Sequence, residues 1–268
     1  AGMAAFSAAF GIGAMVGPAF AGAVVALDPL APLYAVAAAA ACSVAAVWFF
    51  LPERTAPKER IARPTLSPFD RRIRAFLVYG LATAVATAIP IQFIAFYFID
   101  RLGLDSKDAL QLVGVALSAA AMASLFSQLV LVQRFNLPPT TLMRAGPMLV
   151  CVGHAIIAGS TMIGPLVFGM LLSGLGAGML GPGFIGGASL AVRSDEQGSA
   201  AGLSNAAGAS GFIFAPILGQ FFYAMAPSAL FFATATIAAA CAVFAFVEKD
   251  LARPMPKPAS PTEPDFPV

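Results

Sequence analysis

Long apolar stretches with few charges recur along the whole 268-residue chain. A bilayer core about 30 Å thick takes roughly 20 apolar residues of helix per crossing. The chain is 59% hydrophobic and only 10% charged, and its apolar runs are continuous, unlike the alternating strands of a membrane barrel. We therefore predict an all-α, polytopic membrane helical bundle of about eight transmembrane helices, with spans near 2–27, 31–51, 73–99, 108–132, 141–162, 165–192, 198–224 and 228–248.

The positions of Lys and Arg predict how the spans are oriented, because these residues are retained on the cytoplasmic side during insertion. The longest loop holds seven of them: Arg54, Lys58, Arg60, Arg63, Arg71, Arg72 and Arg74. A cytoplasmic position for that loop leaves only Arg101 and Lys107, of fifteen basic residues, on the outer side. We therefore expect both ends of the chain to be cytoplasmic, in a bacterial inner membrane.

Composition also predicts the organisation of the chain outside the spans. Residues 52–72 are basic and polar and read as a cytoplasmic linker, whereas the prolines of residues 249–268 predict a disordered tail. Each of the three cysteines stands alone in an apolar run, where a thiol acts as a small hydrophobe. The chain starts at Ala1 without an initiator Met, so we expect an internal starting point.

One spacing of glycine and proline occurs in both the first and the seventh span. The matching positions in the first span are Gly13, Gly17, Pro18 and Gly22. Those in the seventh are Gly211, Pro216 and Gly219, with Gly202 ahead of them. Glycines four residues apart give a helix a smooth face for close packing, and proline bends it. These segments are predicted to act as hinge or seal faces, or simply to pack.

Each copy precedes one last span and a polar segment, which predicts a repeated architecture. Residues 73–248 then form a complete six-span bundle, and residues 1–51 hold the last two spans of an N-terminal bundle. By this arithmetic, four N-terminal spans of the parent chain are missing, and they would be partners of this piece.

The glycine-proline motif resembles the antiporter motif of the major facilitator superfamily, in its twelve-span drug and proton antiporters. The Leu51-Pro52-Glu53 ending of the second span, the basic central loop and the glycine-rich sixth span are also similar to that superfamily. Ala4 and Ala21 depart from the motif's glycines. The resemblance implies a secondary active transporter that exports small lipophilic or amphipathic compounds by alternating access, with protons as the coupling ion.

No Asp or Glu falls in the middle of a predicted span. A proton-carrying acid is therefore expected in the missing spans, or the parent is not proton-coupled. The alternatives left open are a carrier for a polar metabolite such as a sugar or organic acid, a non-transporting membrane sensor or assembly protein, and an inactive partial gene product.

The candidate substrate cavity combines aromatic and polar residues of three spans. Helical spacing in the third span places four of them on roughly one side, and three more follow from family position: Gln92, Phe93, Phe96 and Tyr97, then Ser173, Ser204 and Asn205. The simpler alternative for the aromatics is a lipid-facing position. His154, the single histidine, is predicted to be a hydrogen-bonded packing residue of the fifth span.

No enzyme motif is found, so the chain is predicted not to be an enzyme. No spacing of His or Cys suggests a metal, and nothing suggests a cofactor or nucleic-acid binding. A G-x-G-x-x-G pattern occurs at Gly176, Gly178 and Gly181, but it lies within an apolar span without a preceding strand. We interpret it as a helix-packing pattern.

Overall fold

The computed structural model describes residues 17, 20, 21, 23, 24, 28, 30–50, 65–248 and 251. Within them, seven helices are long and apolar enough to cross a membrane. They are α1 (Ala31–Phe50), α2 (Arg74–Leu102), α3 (Ser106–Phe135), α4 (Pro139–Gly159), α5 (Ile163–Leu190), α6 (Gln197–Met225) and α7 (Pro227–Val247). The predicted all-α helical bundle is confirmed, and seven of the eight predicted spans appear. The predicted span at 2–27 lies mostly outside the described residues.

Short, chemically defined turns separate the helices. Gly103 ends α2 with a positive φ of 64°, a left-handed conformation that glycine adopts without strain. Asp105 then caps α3 by accepting a hydrogen bond from the Asp108 amide at 2.8 Å. Proline occupies the first position of α4, Pro139, and of α7, Pro227, where its missing N–H costs nothing. Successive helices from α2 to α7 therefore run antiparallel.

The core of the bundle lies among α2, α4, α5 and α7. Two buried tyrosines of α2 donate hydrogen bonds to carbonyl oxygens of α4, Tyr79 to Met143 and Tyr97 to Ile157, each at 2.8 Å. These bonds fix α2 against α4 near both ends of the bundle. We call the end that carries Arg74, Gln197 and Val247 the linker end, since residues 65–73 lie there.

The glycines of α5 bring that helix close to its neighbours. A Cβ on Gly178 would lie 2.8 Å from the Ser127 Cβ of α3, and one on Gly176 would lie 2.9 Å from the Leu149 Cβ of α4. A Cβ on Gly181 would meet nothing. Two glycines of the G-x-G-x-x-G pattern thus serve helix packing, as predicted. Facing Gly178, α3 contains a π-helical segment, Ser127–Val132, which the sequence did not predict.

Two helices of the six-helix bundle keep most of their surface open. In the most apolar windows of α3 and α6, 11% and 17% of residues are buried, compared with 44% or more in α2, α4, α5 and α7. The open faces are rich in large apolar side chains, among them Val115 and Met122 of α3 and Ile213 and Phe221 of α6. Such faces suit lipid or another helical bundle.

Candidate functional site

The contact between α2 and α6 rests on a stripe of small residues. The buried residues of α6 are Ala200, Ser204, Gly211, Ala215 and Gly219. A Cβ on Gly211 would lie 2.6 Å from the carbonyl carbon of Ala84, and one on Gly219 would lie 2.9 Å from Cδ2 of Phe93. Real Cβ atoms do not approach so closely, so position 211 requires glycine for the two helix backbones to touch, and Gly219 leaves room for the Phe93 ring.

The other positions of the glycine-proline motif do not share this contact. Gly202 is exposed, and a Cβ added there would meet nothing within 4 Å. The same holds for Gly17. Pro216 is exposed on α6, which continues through it to Met225. Gly13, Pro18 and Gly22 lie outside the described residues, so the packing of the first copy stays a prediction.

An aromatic cluster with one carboxylate joins α2 and α6 at the end opposite the linker. The Phe93 ring lies 5.7 Å from Tyr223 of α6 and 6.3 Å from Phe96, measured between centroids. The Tyr223 hydroxyl donates a short hydrogen bond to the Asp100 carboxylate in the last turn of α2. Phe93 is buried, whereas the Phe96 side chain is 57% exposed. The cluster thus offers an accessible aromatic surface beside an anchored carboxylate.

Tyr97 does not belong to that surface, although helical spacing suggested that it would. Its side chain is fully buried, and its hydroxyl donates a hydrogen bond to the Ile157 carbonyl of α4. Its ring contacts the Phe231 ring edge-on, with 4.6 Å between centroids. One residue step turns a helix by about 100°, which is enough to separate Phe96 at the surface from Tyr97 in the core. The expectation of a single aromatic wall is corrected accordingly.

Ser173 also faces the core. Its hydroxyl lies 2.9 Å from Nε2 of His154, and both side chains are buried. The His154 ring contacts Phe231 edge-on at 5.9 Å. His154 is therefore a hydrogen-bonded packing residue, as predicted. Its Nδ1 has no hydrogen-bond partner among the described residues.

The three remaining candidates differ in exposure. Asn205 is exposed on α6, Gln92 is half-buried on α2, and Ser204 is fully buried in the small-residue stripe. The Ser204 hydroxyl has no hydrogen-bond partner within the described structure. Gln92 and Asn205 are thus polar groups on largely apolar helices, open to a neighbouring surface or ligand.

An ion-pair cluster at the linker end ties the segment before α2 to the turn between α5 and α6. Arg72 pairs with both Asp70 and Glu196, each at 2.8 Å. The Leu66 amide also donates a hydrogen bond to Ser199 of α6 at 2.9 Å. The hydrogen bonds of Arg72 lower the pKa of Asp70 and Glu196 below their ordinary values and raise its own.

Sequence reasoning missed two contacts of this site. Tyr223 lies two residues from the end of α6, where a tyrosine normally indicates only the membrane interface, so its pairing with Asp100 depends on the register of two distant helices. Arg144 donates a hydrogen bond to the Ala245 carbonyl at 3.1 Å and lies 4.7 Å above the Phe246 ring. This basic residue holds α4 to α7, although its position indicated only membrane orientation.

The seven long apolar helices define a multi-pass integral membrane protein. The profile of the Major Facilitator Superfamily matches residues 1–216. The chain therefore belongs to the Major Facilitator Superfamily, a family of membrane transporters for small molecules and not of enzymes. A search of the curated proteins found no match.

Proposed function

We propose that the chain acts as the substrate-binding and moving part of a secondary active exporter for small lipophilic or amphipathic compounds, driven by protons. The observation that carries this proposal is the set of accessible polar and aromatic groups on α2 and α6, helices that are otherwise apolar. Gln92 and Phe96 lie in the half of α2 away from the linker end, and Asn205 lies nearer the linker end of α6. A few polar groups on apolar walls are the usual composition of a site for a lipophilic ligand.

The glycine contacts support a moving role for the same pair of helices. Gly211 and Gly219 give α6 a smooth face against α2. Along such a face, one helix can slide or rock against the other because no interdigitated side chains have to separate. In the proposed arrangement, the open faces of α3 and α6 meet the N-terminal bundle, whose last two spans are residues 1–51. Residues 73–248 form the second bundle, with the linker end in the cytoplasm of a bacterial cell.

Proton coupling is proposed from the resemblance of the glycine-proline motif to that of drug and proton antiporters. Among the described residues, no Asp or Glu lies in the middle of a helix, and Asp100 and Asp108 stand at helix ends. The proton-carrying acid is therefore assigned to a part of the protein outside these helices. Intramembrane acids are the groups that usually perform this task.

The proposed binding groups are tested by alanine variants with one matched phenylalanine control. Phe96→Ala, Gln92→Ala and Asn205→Ala are compared with Phe232→Ala, since the Phe232 side chain is likewise exposed, at 53%, but belongs to α7. Cells expressing the full reading frame are assayed for accumulation of a panel of lipophilic dyes. The proposal predicts raised accumulation in the first three variants only.

Equal accumulation in all four variants and the unaltered protein, at equal expression, would show that Gln92, Phe96 and Asn205 take no part in transport. Export of a sugar or organic acid, with no effect on dyes, would favour the alternative of a polar-metabolite carrier.

A further inference from the structure

A cavity of about 640 Å³ opens at the linker end between α2, α6 and α7. Its apolar walls include Leu77 and Leu81 of α2, Leu203 and Phe214 of α6, and Phe244 of α7. The volume lies within the range of small-molecule sites. This cavity is separate from the aromatic cluster, which lies at the other end of the same two helices.

We call this cavity, which runs along α2 and α6 inward from the linker end, the wedge. Its lining residues extend from Arg74 to Leu81 on α2 and from Leu203 to Phe214 on α6. At 1.5 Å per residue, these stretches are about 10 Å and about 16 Å long. The longer one is comparable to one leaflet of a hydrocarbon core about 30 Å thick. Pro68 and Phe69 line the cavity from the segment before α2.

The mouth carries an arginine that forms no ion pair among the described residues. Arg74 is exposed, and among the described residues it has no ion pair and no side-chain hydrogen bond. Glu248 lines the same mouth at the end of α7 but takes part in an interaction of its own. Arginine is well suited to phosphate oxygens because its planar group donates two hydrogen bonds at once.

We propose that this cavity binds one phospholipid of the surrounding leaflet, with an acyl chain in the wedge and the phosphate at Arg74. The apolar walls match the chain, the length of the α6 wall matches the leaflet, and the exposed guanidinium matches the anionic phosphate. The bound chain fills space that α6 and α7 would otherwise leave open beside α2. In the orientation proposed above, this is the cytoplasmic leaflet.

The test uses a photoactivatable lipid in nanodiscs that contain the full-length protein. The probe is a phosphatidylethanolamine with a diazirine in its sn-2 chain, and labelled residues are mapped by mass spectrometry. We expect labels concentrated at residues 77–81 and 203–214. Val78→Trp, which fills the cavity, is expected to reduce labelling there about tenfold, the effect of losing roughly 1.4 kcal/mol of binding.

Val243→Trp is the matched control for the wall. Val78 and Val243 are 60% and 61% exposed, and Val243 lies near the linker end of α7 but does not line the cavity. Equal loss of labelling in both variants, or no preference for the cavity in the unaltered protein, would overturn the proposal.

Arg74→Gln and Arg134→Gln test the phosphate independently of the wall. Arg134 is exposed near the linker end of α3 and does not line the cavity. Arg74→Gln is expected to reduce labelling by the phospholipid but not by a diazirine fatty alcohol, which has no phosphate, whereas Arg134→Gln leaves both unchanged. A parallel loss with both probes would contradict a phosphate contact at Arg74. Because labelling is read without transport, failure of this proposal and failure of the exporter function are distinguishable.

Discussion

Two glycines of α6 should respond to the same substitution with opposite signs. Gly211→Ala places a Cβ 2.6 Å from the Ala84 carbonyl carbon, whereas Gly202→Ala places one in open space. Carbon atoms pack at about 3.5–4.0 Å, so the first change must separate α2 and α6 by about 1 Å. Overpacking of this kind costs about 1–3 kcal/mol.

Alanine also favours a helix over glycine by up to about 1 kcal/mol. The two terms leave Gly211→Ala destabilised by up to about 2 kcal/mol and Gly202→Ala stabilised by about 0.5–1 kcal/mol. For a protein of this size, a difference of about 2 kcal/mol corresponds to roughly 4–8 °C in the melting temperature. Circular dichroism of the purified proteins in one detergent measures that difference.

A Gly211→Ala protein as stable as the Gly202→Ala protein would refute the reasoning. It would mean that α6 is held by lipid or by another bundle and not by its close contact with α2. The melting temperature of Gly219→Ala is a second measure of the contact between α2 and α6, since the new Cβ would meet the Phe93 ring.

Three further changes test contacts at other places. Tyr97→Phe removes a buried hydrogen bond and should cost about 1 kcal/mol in a thermal melt, whereas exposed Tyr34→Phe should cost nothing; equal melting would contradict this. Ser173→Ala leaves the His154 ring without its bonded partner and should lower the melting temperature by a few degrees, consistent with about 1–3 kcal/mol. Arg72→Gln should speed hydrogen exchange at residues 65–72; unchanged exchange would show that the ion pairs do not hold the segment.

The Arg72 cluster also predicts a pH dependence. Both acids have a folded-state pKa below their ordinary values of 3.8 and 4.5, so their contribution is fully present above about pH 4.5. It is lost as the pH falls through the lowered values. Exchange at residues 65–72 should therefore be constant from pH 7 to pH 5, after correction for intrinsic rates, and rise in stronger acid. Faster exchange already between pH 7 and pH 6 would mean that a group other than Asp70 and Glu196 holds residues 65–72 in place.

Span length could be predicted because hydrocarbon thickness sets it directly. The predicted spans at 108–132 and 141–162 correspond to Ser106–Phe135 and Pro139–Gly159, and Pro139 marks the start of the second of these helices. Whether a side chain faces the core or the surface of the bundle is harder to predict, since it depends on which neighbour each helix face meets.

The site shows this limit in particular residues. Helical spacing grouped Phe96 with Tyr97, yet packing against α4 and α7 places Tyr97 in the core. Gly202 and Gly211 fit one motif, but only Gly211 lies where α2 crosses α6. The π-helical segment of α3 and the pairing of Tyr223 with Asp100 arise from tertiary contacts. No local pattern in the sequence indicates either one.

The most direct test of the central proposal is proton-driven transport in everted membrane vesicles that contain the protein from its full reading frame. We predict that a pH gradient, acid inside, drives uptake of a lipophilic dye, and that a protonophore abolishes it. Asn205→Ala should lower this uptake at equal expression. Uptake equal to that of vesicles without the protein, across neutral and cationic dyes, would contradict the assignment as a proton-driven exporter of lipophilic compounds.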